Sequence, residues 1–399
     1  MIFFLLAPAY LLVNGFLYVR SLIWFSSLGA FFTTMWFYIP YTILFLLVST
    51  SILTSFFLSP SRLQSIIKQI SNYWLGALCY ILLFALSAEL FLFVLRHLPI
   101  LPKSMVNSPV LFSSAGLSAF LLIAGFCLYG IYHARQIREI SYDITLPKTC
   151  GNRKALSIAL IADLHLGTGT GLSHVEHMVK QLKRLRPDLI CIAGDIFDNN
   201  YDDIQKPDEI IRCLQQIHCP LGIYACYGNH DISEKILGGF TFRHAETKAS
   251  DPRMDDFLKK AHIHLLRDET VCIQNSFYLC GRLDYSLPGN ESGVRLTARQ
   301  LLSSLDPSMP VIVLDHQPKE LSQLMEQGAD LVLSGHTHGG QMFPANVPVK
   351  LAWANAYGHL HMEGMHSVVT SGVGIWGPGM RVGTNSEIVM VHLHFSGKY

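Results

Sequence analysis

Charge is scarce in the first third of this 399-residue chain. Between Met1 and Ile131 the only charged side chains are Arg20, Arg62, Lys68, Glu89, Arg96 and Lys103, so 53 of the 59 charged residues (30 basic and 29 acidic) lie downstream. Of the 18 histidines, only His97 falls in that first stretch. So little charge excludes an ordinary soluble domain there. Neither sign dominates, and a net charge of +1 gives no electrostatic case for a nucleic-acid partner. The nine cysteines are an odd number with no Cys-x-x-Cys pair, which argues against a disulfide framework or a zinc knuckle. Basic residues are missing around Met1-Ile2-Phe3-Phe4, so a cleaved signal peptide is not expected. The glycine tract Gly167–Gly171 lacks the lysine and spacing of a phosphate-binding P-loop and is predicted to be a flexible rim loop.

What the first third does contain is long apolar runs. Spanning a bilayer takes about 20 such residues. Four runs qualify, approximately Ile2–Tyr18, Phe31–Phe57 with Pro40 inside it, Tyr73–Leu95 and Val110–Tyr132. The expected organisation is a four-helix transmembrane region over residues 1–135, followed by a water-soluble α/β domain over residues 140–399. Arg62, Lys68, Arg135 and Arg138 would share a side with the soluble half, against Arg20, Arg96 and Lys103 opposite. That balance, with cysteines such as Cys191 and Cys226 inside apolar strands, points to a cytosolic soluble half. Glu89 lies within a span, where a carboxylate is costly; a functional role, a buried pairing with Arg96 or a protonated acid are the readings.

The soluble half alternates strand and helix patterns. Ile140–Leu146 reads as an edge strand and Ala155–Ala162 as a buried one. A helix is expected from about Ser173, with Lys180, Lys183, Arg184 and Arg186 as a solvated basic face near its C-terminus. Further buried strands are Leu189–Ala193, Gly222–Cys226, Ser276–Cys280, Val311–Leu314 and Ala329–Leu333, with helices near Glu209–Ile217, Arg253–Ala261 and Lys319–Gln327. Two last strands, Ser367–Ser371 and Ile388–Phe395, flank a glycine-rich loop. Strands alternating with helices indicate an α/β domain.

Polar clusters begin where the apolar runs stop. Asp163 and His165 follow one strand, Asp195 and Asp198 the next, then Asn229, His230 and Asp231, then His316, then His336 and His338. Ligands in α/β sheets bind at the carboxyl ends of strands. The last pair, two histidines at i and i+2, is expected to point the same way from an extended segment. Imidazoles, carboxylates and an amide oxygen are the donors that two borderline divalent cations take, and Asp195 is the natural bridge between ions ~3.5–4 Å apart.

Asp163-x-His165, Gly194-Asp195-x-x-Asp198, Gly228-Asn229-His230-Asp231, His316 and Gly335-His336-x-His338 resemble the five-block signature of the calcineurin-like metallophosphoesterases. The resemblance covers about Ile140–His394. Ser334–Gln341 and Trp376–Arg381 resemble a bacterial branch with membrane-spanning N-termini. The resemblance implies a metallophosphoesterase β-sandwich flanked by helices. It implies one metal on Asp163, His165, Asp195 and His338, and a second on Asp195, Asn229, His316 and His336. His230 would face the substrate, oriented by Asp231 or Asp198.

The expected activity is a metal-dependent phosphohydrolase, a phosphodiesterase or pyrophosphatase, in which a hydroxide bridging two ions (Mn, Fe or Zn) attacks phosphorus. His230 would protonate the leaving oxygen. Arg381 and Arg282 are candidate phosphate contacts. The expected partners are membrane lipid and a phosphate-ester or lipid-linked pyrophosphate substrate, in a multi-pass protein of a bacterial inner membrane. A membrane sensor or scaffold with a catalytically silent phosphoesterase fold is the alternative.

Overall fold

The apolar first third folds as helices. A computed structural model of the chain describes residues 2–59, 61–98, 102–232, 236–237, 240–241, 250–285 and 294–397. Its helices there are α1 (Ile2–Leu28), α2 (Met35–Ser49), α3 (Ser51–Phe57), α4 (Arg62–His97), α5 (Lys103–Val106) and α6 (Pro109–Ala134). Ala7–Leu28, α4 and α6 are long and apolar enough to cross a membrane, and the pair α2–α3 makes a fourth span if it counts as one.

Each expected span changes at its ends. The first runs on to Leu28 rather than stopping at Tyr18, because Arg20 pairs with Glu89 and its charge does not end the helix. Glu89 is therefore the partner of Arg20, not of Arg96. The second span bends by 50° between Ser49 and Ser51, well past Pro40. Hydroxyls compete for carbonyls at that bend: Thr50 Oγ1 donates to Leu46 O at 2.7 Å and Ser51 Oγ to Val48 O at 2.6 Å.

The chain divides into two compact units, Met1–Gly130 and Ile131–Tyr399. The second unit opens with β1 (Ile137–Leu146), β2 (Ala155–Ile161), α7 (Leu172–Leu185), β3 (Leu189–Ala193), α8 (Pro207–Leu214) and β4 (Ile223–Cys226). Next come β5 (Ile236–Leu237), β6 (Phe240–Thr241), α9 (Pro252–Lys260), β7 (Ile263–Leu265), β8 (Glu269–Ile273) and β9 (Phe277–Gly281). The rest comprises α10 (Ala298–Leu302), β10 (Val311–Leu314), α11 (Leu321–Glu326), β11 (Leu331–Ser334), α12 (Asn346–Ala352), β12 (Gly358–Met362), β13 (Met365–Val369) and β14 (Ser386–Phe395). Two mixed six-stranded sheets result, ordered β1-β14-β2-β3-β4-β7 and β12-β13-β11-β10-β9-β8. The first strand is an edge, as its alternating pattern predicts.

Alternation within each strand assigns side chains to layers. Ile158 and Leu160 of β2 pack with Ile312, Leu314, Leu331 and Leu333 between the sheets. Ala159 and Ile161 turn to the other face, against Val175, Met178, Val179 and Leu182 of α7. On the outer face of the second sheet, Val311, Val313 and Val332 meet Leu301 of α10 and Leu324 of α11. The unit is a β-sandwich flanked by helices, and both faces of its central strands are covered, so those strands read as unbroken apolar runs.

The basic residues Lys180, Lys183 and Arg184 lie exposed at the end of α7, as expected for a solvated face. The glycine tract after β2 forms a hydrogen-bonded turn, with Gly167 N donating to Thr170 O at 3.2 Å. β7, β8 and β12 have no counterpart among the strands expected from sequence. They are short edge segments whose residues are half exposed.

The second unit starts before β1, since Ser386 Oγ donates to Ala134 O at 2.8 Å. Residues 131–399 expressed alone are expected to unfold cooperatively. A piece starting at Ile140 lacks Ile137, Arg138 and Glu139 of β1, which pair with Ser386, Glu387 and Ile388. Its thermal midpoint should be lower by at least about 2–4 °C, the shift that one kcal/mol gives in a chain of this size. Equal midpoints by scanning calorimetry would show that those pairings contribute nothing.

Candidate metal centre

The backbone ladder does not stop where the strands do. Past β2 and β3, Asp163 N donates to Gly194 O at 2.9 Å and His165 N to Asp195 O at 3.0 Å. Past β10 and β11, Gly335 N donates to His316 O at 3.0 Å. These bonds hold the polar strand exits side by side at one edge of the sandwich. Asp163, His165, Asp195, His316 and His338 are buried there.

Two overlapping groups form. In the first, His338 Nε2 lies 3.2 Å from His165 Nε2 and 3.5 Å from Asp163 Oδ1, and His165 Nε2 is 3.8 Å from Asp195 Oδ2. In the second, His316 Nε2 lies 3.2 Å from each of Asp195 Oδ2, Asn229 Oδ1 and His336 Nδ1. Asp195 Oδ1 accepts the backbone N–H of His230 at 2.8 Å, which leaves Oδ2 facing both groups. All seven sequence-identified ligand candidates are thus brought together, with Asp195 between the two sets. Metal bonds of about 2.0–2.2 Å separate tetrahedral donors by about 3.4 Å, and the observed spacings match.

The donor chemistry also fits a cation. His316 Nδ1 faces the carbonyl of Ala193 at 2.8 Å, so this nitrogen carries the proton. Nε2 then presents a lone pair to a carboxylate, an amide oxygen and a second imidazole. Acceptors converging on acceptors in a buried place require positive charge between them. Proton affinities report the same demand. Burial opposes charge on His316, yet the Asp195 and Asp163 carboxylates outweigh it and raise its pKa well above the ordinary value. Burial also opposes charge on Asp195, but His316 and His230 draw its pKa well down. His336 faces the opposite balance, and burial with His316 nearby lowers it to about 3.

Four sequence expectations change here. His336 and His338 do not leave an extended segment on the same side: their φ angles are 71° and 49°, in the left-handed region. The turn splits the pair, sending His336 to the second group and His338 to the first. Asp231 does not orient the His230 ring. Its buried carboxylate accepts the N–H groups of Phe197 at 2.8 Å and Gly228 at 2.7 Å, bracing the two strand exits. Arg381 is fully buried, its Nη2 donating to Ser371 O and Gly374 O at 2.7 Å, with His338 Nδ1 at 3.4 Å. It holds the 371–374 loop against the site and does not line a substrate surface. Arg282 is likewise buried, paired with Asp315 and Glu320 at 2.9 Å.

Further residues surround these donors. The side-chain oxygen of Asn199 accepts a hydrogen bond from the Nδ1–H of His230. Asp198 lies 3.7 Å from His165 Nδ1, and ligand atoms of His165, Asp198 and His230 fall within 4.8 Å of one another. The Trp353 ring meets His336 edge-on at 5.2 Å, and Trp376 lies 6.3 Å from His338.

The calcineurin-like phosphoesterase profile matches residues 156–340 of this chain. A transmembrane protein with a metallophosphoesterase domain from Danio rerio is 30% identical over 69% of this chain and 62% of its own length. An uncharacterised metallophosphoesterase from Aquifex aeolicus is 30% identical over 61% of this chain and 86% of its own length. The UDP-2,3-diacylglucosamine pyrophosphatase LpxG of Chlamydia trachomatis is 24% identical over 52% of this chain and 70% of its own length. The chain therefore belongs to the calcineurin-like metallophosphoesterases. It spans about three fifths of the length of the first of these relatives.

Gly194 sits where β3 exits, with φ at 78°, and a Cβ there would lie 2.5 Å from His316 Nδ1. Gly194→Ala is expected to displace His316 and to weaken metal binding by about 10–100-fold, the usual cost of disturbing a ligand's support. Metal content after dialysis, with circular dichroism to confirm folding, checks this. Normal metal retention would show that His316 is not a ligand.

Proposed function

We propose that this chain is a dinuclear metal-dependent phosphohydrolase that cleaves a phosphodiester or pyrophosphate linkage in a membrane-associated substrate. The supporting observation is the convergence of seven donor side chains in two groups that share Asp195. Asp163, His165, Asp195 and His338 would hold one ion, and Asp195, Asn229, His316 and His336 the other. Manganese, iron and zinc all suit this mixture of imidazole, carboxylate and amide. Bound there, the ions would neutralise phosphoryl oxygens and supply an ionised water at neutral pH.

The protein's own contribution is placement and a proton. Asp195 orients His230 from the backbone side through its N–H, and Asn199 fixes the ring through Nδ1. With Nδ1 committed, Nε2 is the atom left to deliver a proton to a departing oxygen. Delivery from Nε2 needs the doubly protonated ring; burial opposes that charge and lowers the pKa, against the pull of the Asp195 carboxylate. Arg381, the 371–374 loop and Asp231 keep the surroundings from relaxing.

Membrane association of the substrate is supported by the apolar helices and by relatives named as transmembrane proteins. A lipid-linked pyrophosphate is the favoured class, because the Chlamydia relative is named for a diacylated UDP-sugar. A cytosolic site accords with nine free cysteines, five of them buried.

An alkoxide leaves poorly without a proton, whereas a nitrophenolate leaves unaided. His230→Ala is therefore expected to lose about 10²–10⁴-fold on an alkyl or nucleoside ester, and clearly less on a nitrophenyl ester, with metal content near normal. Asn199→Ala should show the same selectivity with a smaller loss. Asp195→Ala should lose bound metal and slow both esters alike. Equal slowing of both esters by His230→Ala, or loss of its metal, would assign that residue to binding instead.

A further inference from the structure

One corner of the second unit carries apolar side chains where water is expected. Among the described residues from Ile131 onward, the exposed large hydrophobic side chains are Tyr132, Val294, Phe343, Val347, Leu351 and Tyr357. Four of these lie between Phe343 and Tyr357, directly after the His336–His338 turn. Leu351 is 84% exposed, Val347 53% and Phe343 42%. Val347 and Leu351 are four apart on α12 and so share a face. Residues 341–357 contain a single charged side chain, Lys350.

Hydrogen bonds tie this segment to the end of an apolar helix. Phe343 N donates to Val382 O at 2.8 Å, and Val382 N to Gln341 O at 3.1 Å. The adjacent Arg381 carbonyl lies 3.4 Å from His133 Nδ1, and Ser386 Oγ holds Ala134 O. His133 and Ala134 are the last residues of α6, one of the candidate membrane spans. Its 26 residues exceed the roughly 20 that a bilayer core requires, and the polar His133 in its last turn suits a span end at the membrane surface.

We infer that Phe343, Val347 and Leu351 rest in the interfacial layer of the bilayer, with Lys350 among anionic headgroups. The occupant is lipid, because the same corner holds the end of a membrane helix. The exposed apolar side chains share this surface with one exposed lysine, which can meet anionic headgroups. Trp353, on the same segment, touches His336. The contact therefore brings the rim of the metal centre to the depth of lipid headgroups. This inference goes beyond the substrate reading above and stands or falls independently of what is hydrolysed.

The test uses the full chain in nanodiscs of phosphatidylethanolamine and phosphatidylglycerol. The photocrosslinker benzoylphenylalanine is placed at Leu351 or, as control, at Cys272, an exposed position on β8, which is the edge strand of the second sheet opposite β12. Lipid adducts from position 351 should exceed those from 272 by at least about tenfold, given the roughly 1.5–3 kcal/mol gained by burying a leucine. Equal lipid yields at the two positions, or crosslinks from 351 to protein alone, would overturn the proposal. Hydroxyl-radical footprinting of the unaltered chain gives a second reading. Normalised for intrinsic reactivity, Val347 and Leu351 should oxidise several-fold less than the comparably exposed Val294. Oxidation at or above that of Val294 would overturn it as well.

Discussion

Electron pairs converging in a buried place dominate the architecture of this unit. Seven side chains that mostly accept rather than donate are gathered at one sheet edge, with donor spacings near 3.2–3.8 Å. Without a cation their mutual repulsion and lost hydration favour dispersal. The fold must therefore hold them against that tendency until a cation arrives. Backbone conformation records the effort: Asp163, His165, Asp195, His336 and His338 all have positive φ. A left-handed residue costs roughly 1–2 kcal/mol, less for Asp and His, and such strain persists only where the surroundings fix it.

The surroundings that fix it are the paired sheets. Strands β2, β3, β10 and β11 are buried on both faces, so a strand exit cannot shift without disturbing packing on two sides. Loop-to-loop hydrogen bonds extend the ladders past the strand ends. Asp231 then ties Phe197 to Gly228, and Arg381 gathers carbonyls of the 371–374 loop. Arg381 illustrates the energetic order. Burial lowers its pKa to about 10, against the pull of the Glu387 and Asp163 carboxylates, so it stays a cation at neutral pH, and the carbonyls of Ser371 and Gly374 accept hydrogen bonds from it. A charge that costly to bury supports the site and does not serve as a mobile substrate contact.

The ligand inventory is legible in the sequence because each member follows a buried apolar run, and that relation is local. Asp163, Asp195 and His316 can be placed without knowing which strands are neighbours. The direction of each side chain cannot. A period of two applies only while the chain is extended, and the glycine-flanked turn at Gly335–Gly340 ends that period before His336. Arg381 and Asp231 mislead for a related reason: next to a polar cluster, a bracing residue and a reacting one have the same local signature, and only burial and partners separate them. Asn199 follows directly on the Asp195–Asp198 cluster, but its role shows only in its contact with His230, and Trp353 reaches the site through a tertiary contact. Among the helices, composition sets the number of apolar runs but not their ends. Arg20 sits inside a helix because Glu89, far away in sequence, answers its charge.

The turn that splits the two histidines also places the apolar helix beside them. Gly340 has φ at 83°, and a Cβ there would lie 2.6 Å from the backbone nitrogen of Asn346, the first residue of α12. A side chain at 340 would therefore push α12 away from the site. Gln341 continues the coupling, its side chain donating to Trp376 O at 2.7 Å and Pro378 O at 2.9 Å. One short run from Ser334 to Leu351 thus joins a strand of the rigid core, two metal-ligand candidates and the exposed apolar residues. Because that run is short and Gly340 lies tight against Asn346, a displacement of α12 would reach His336 through the backbone.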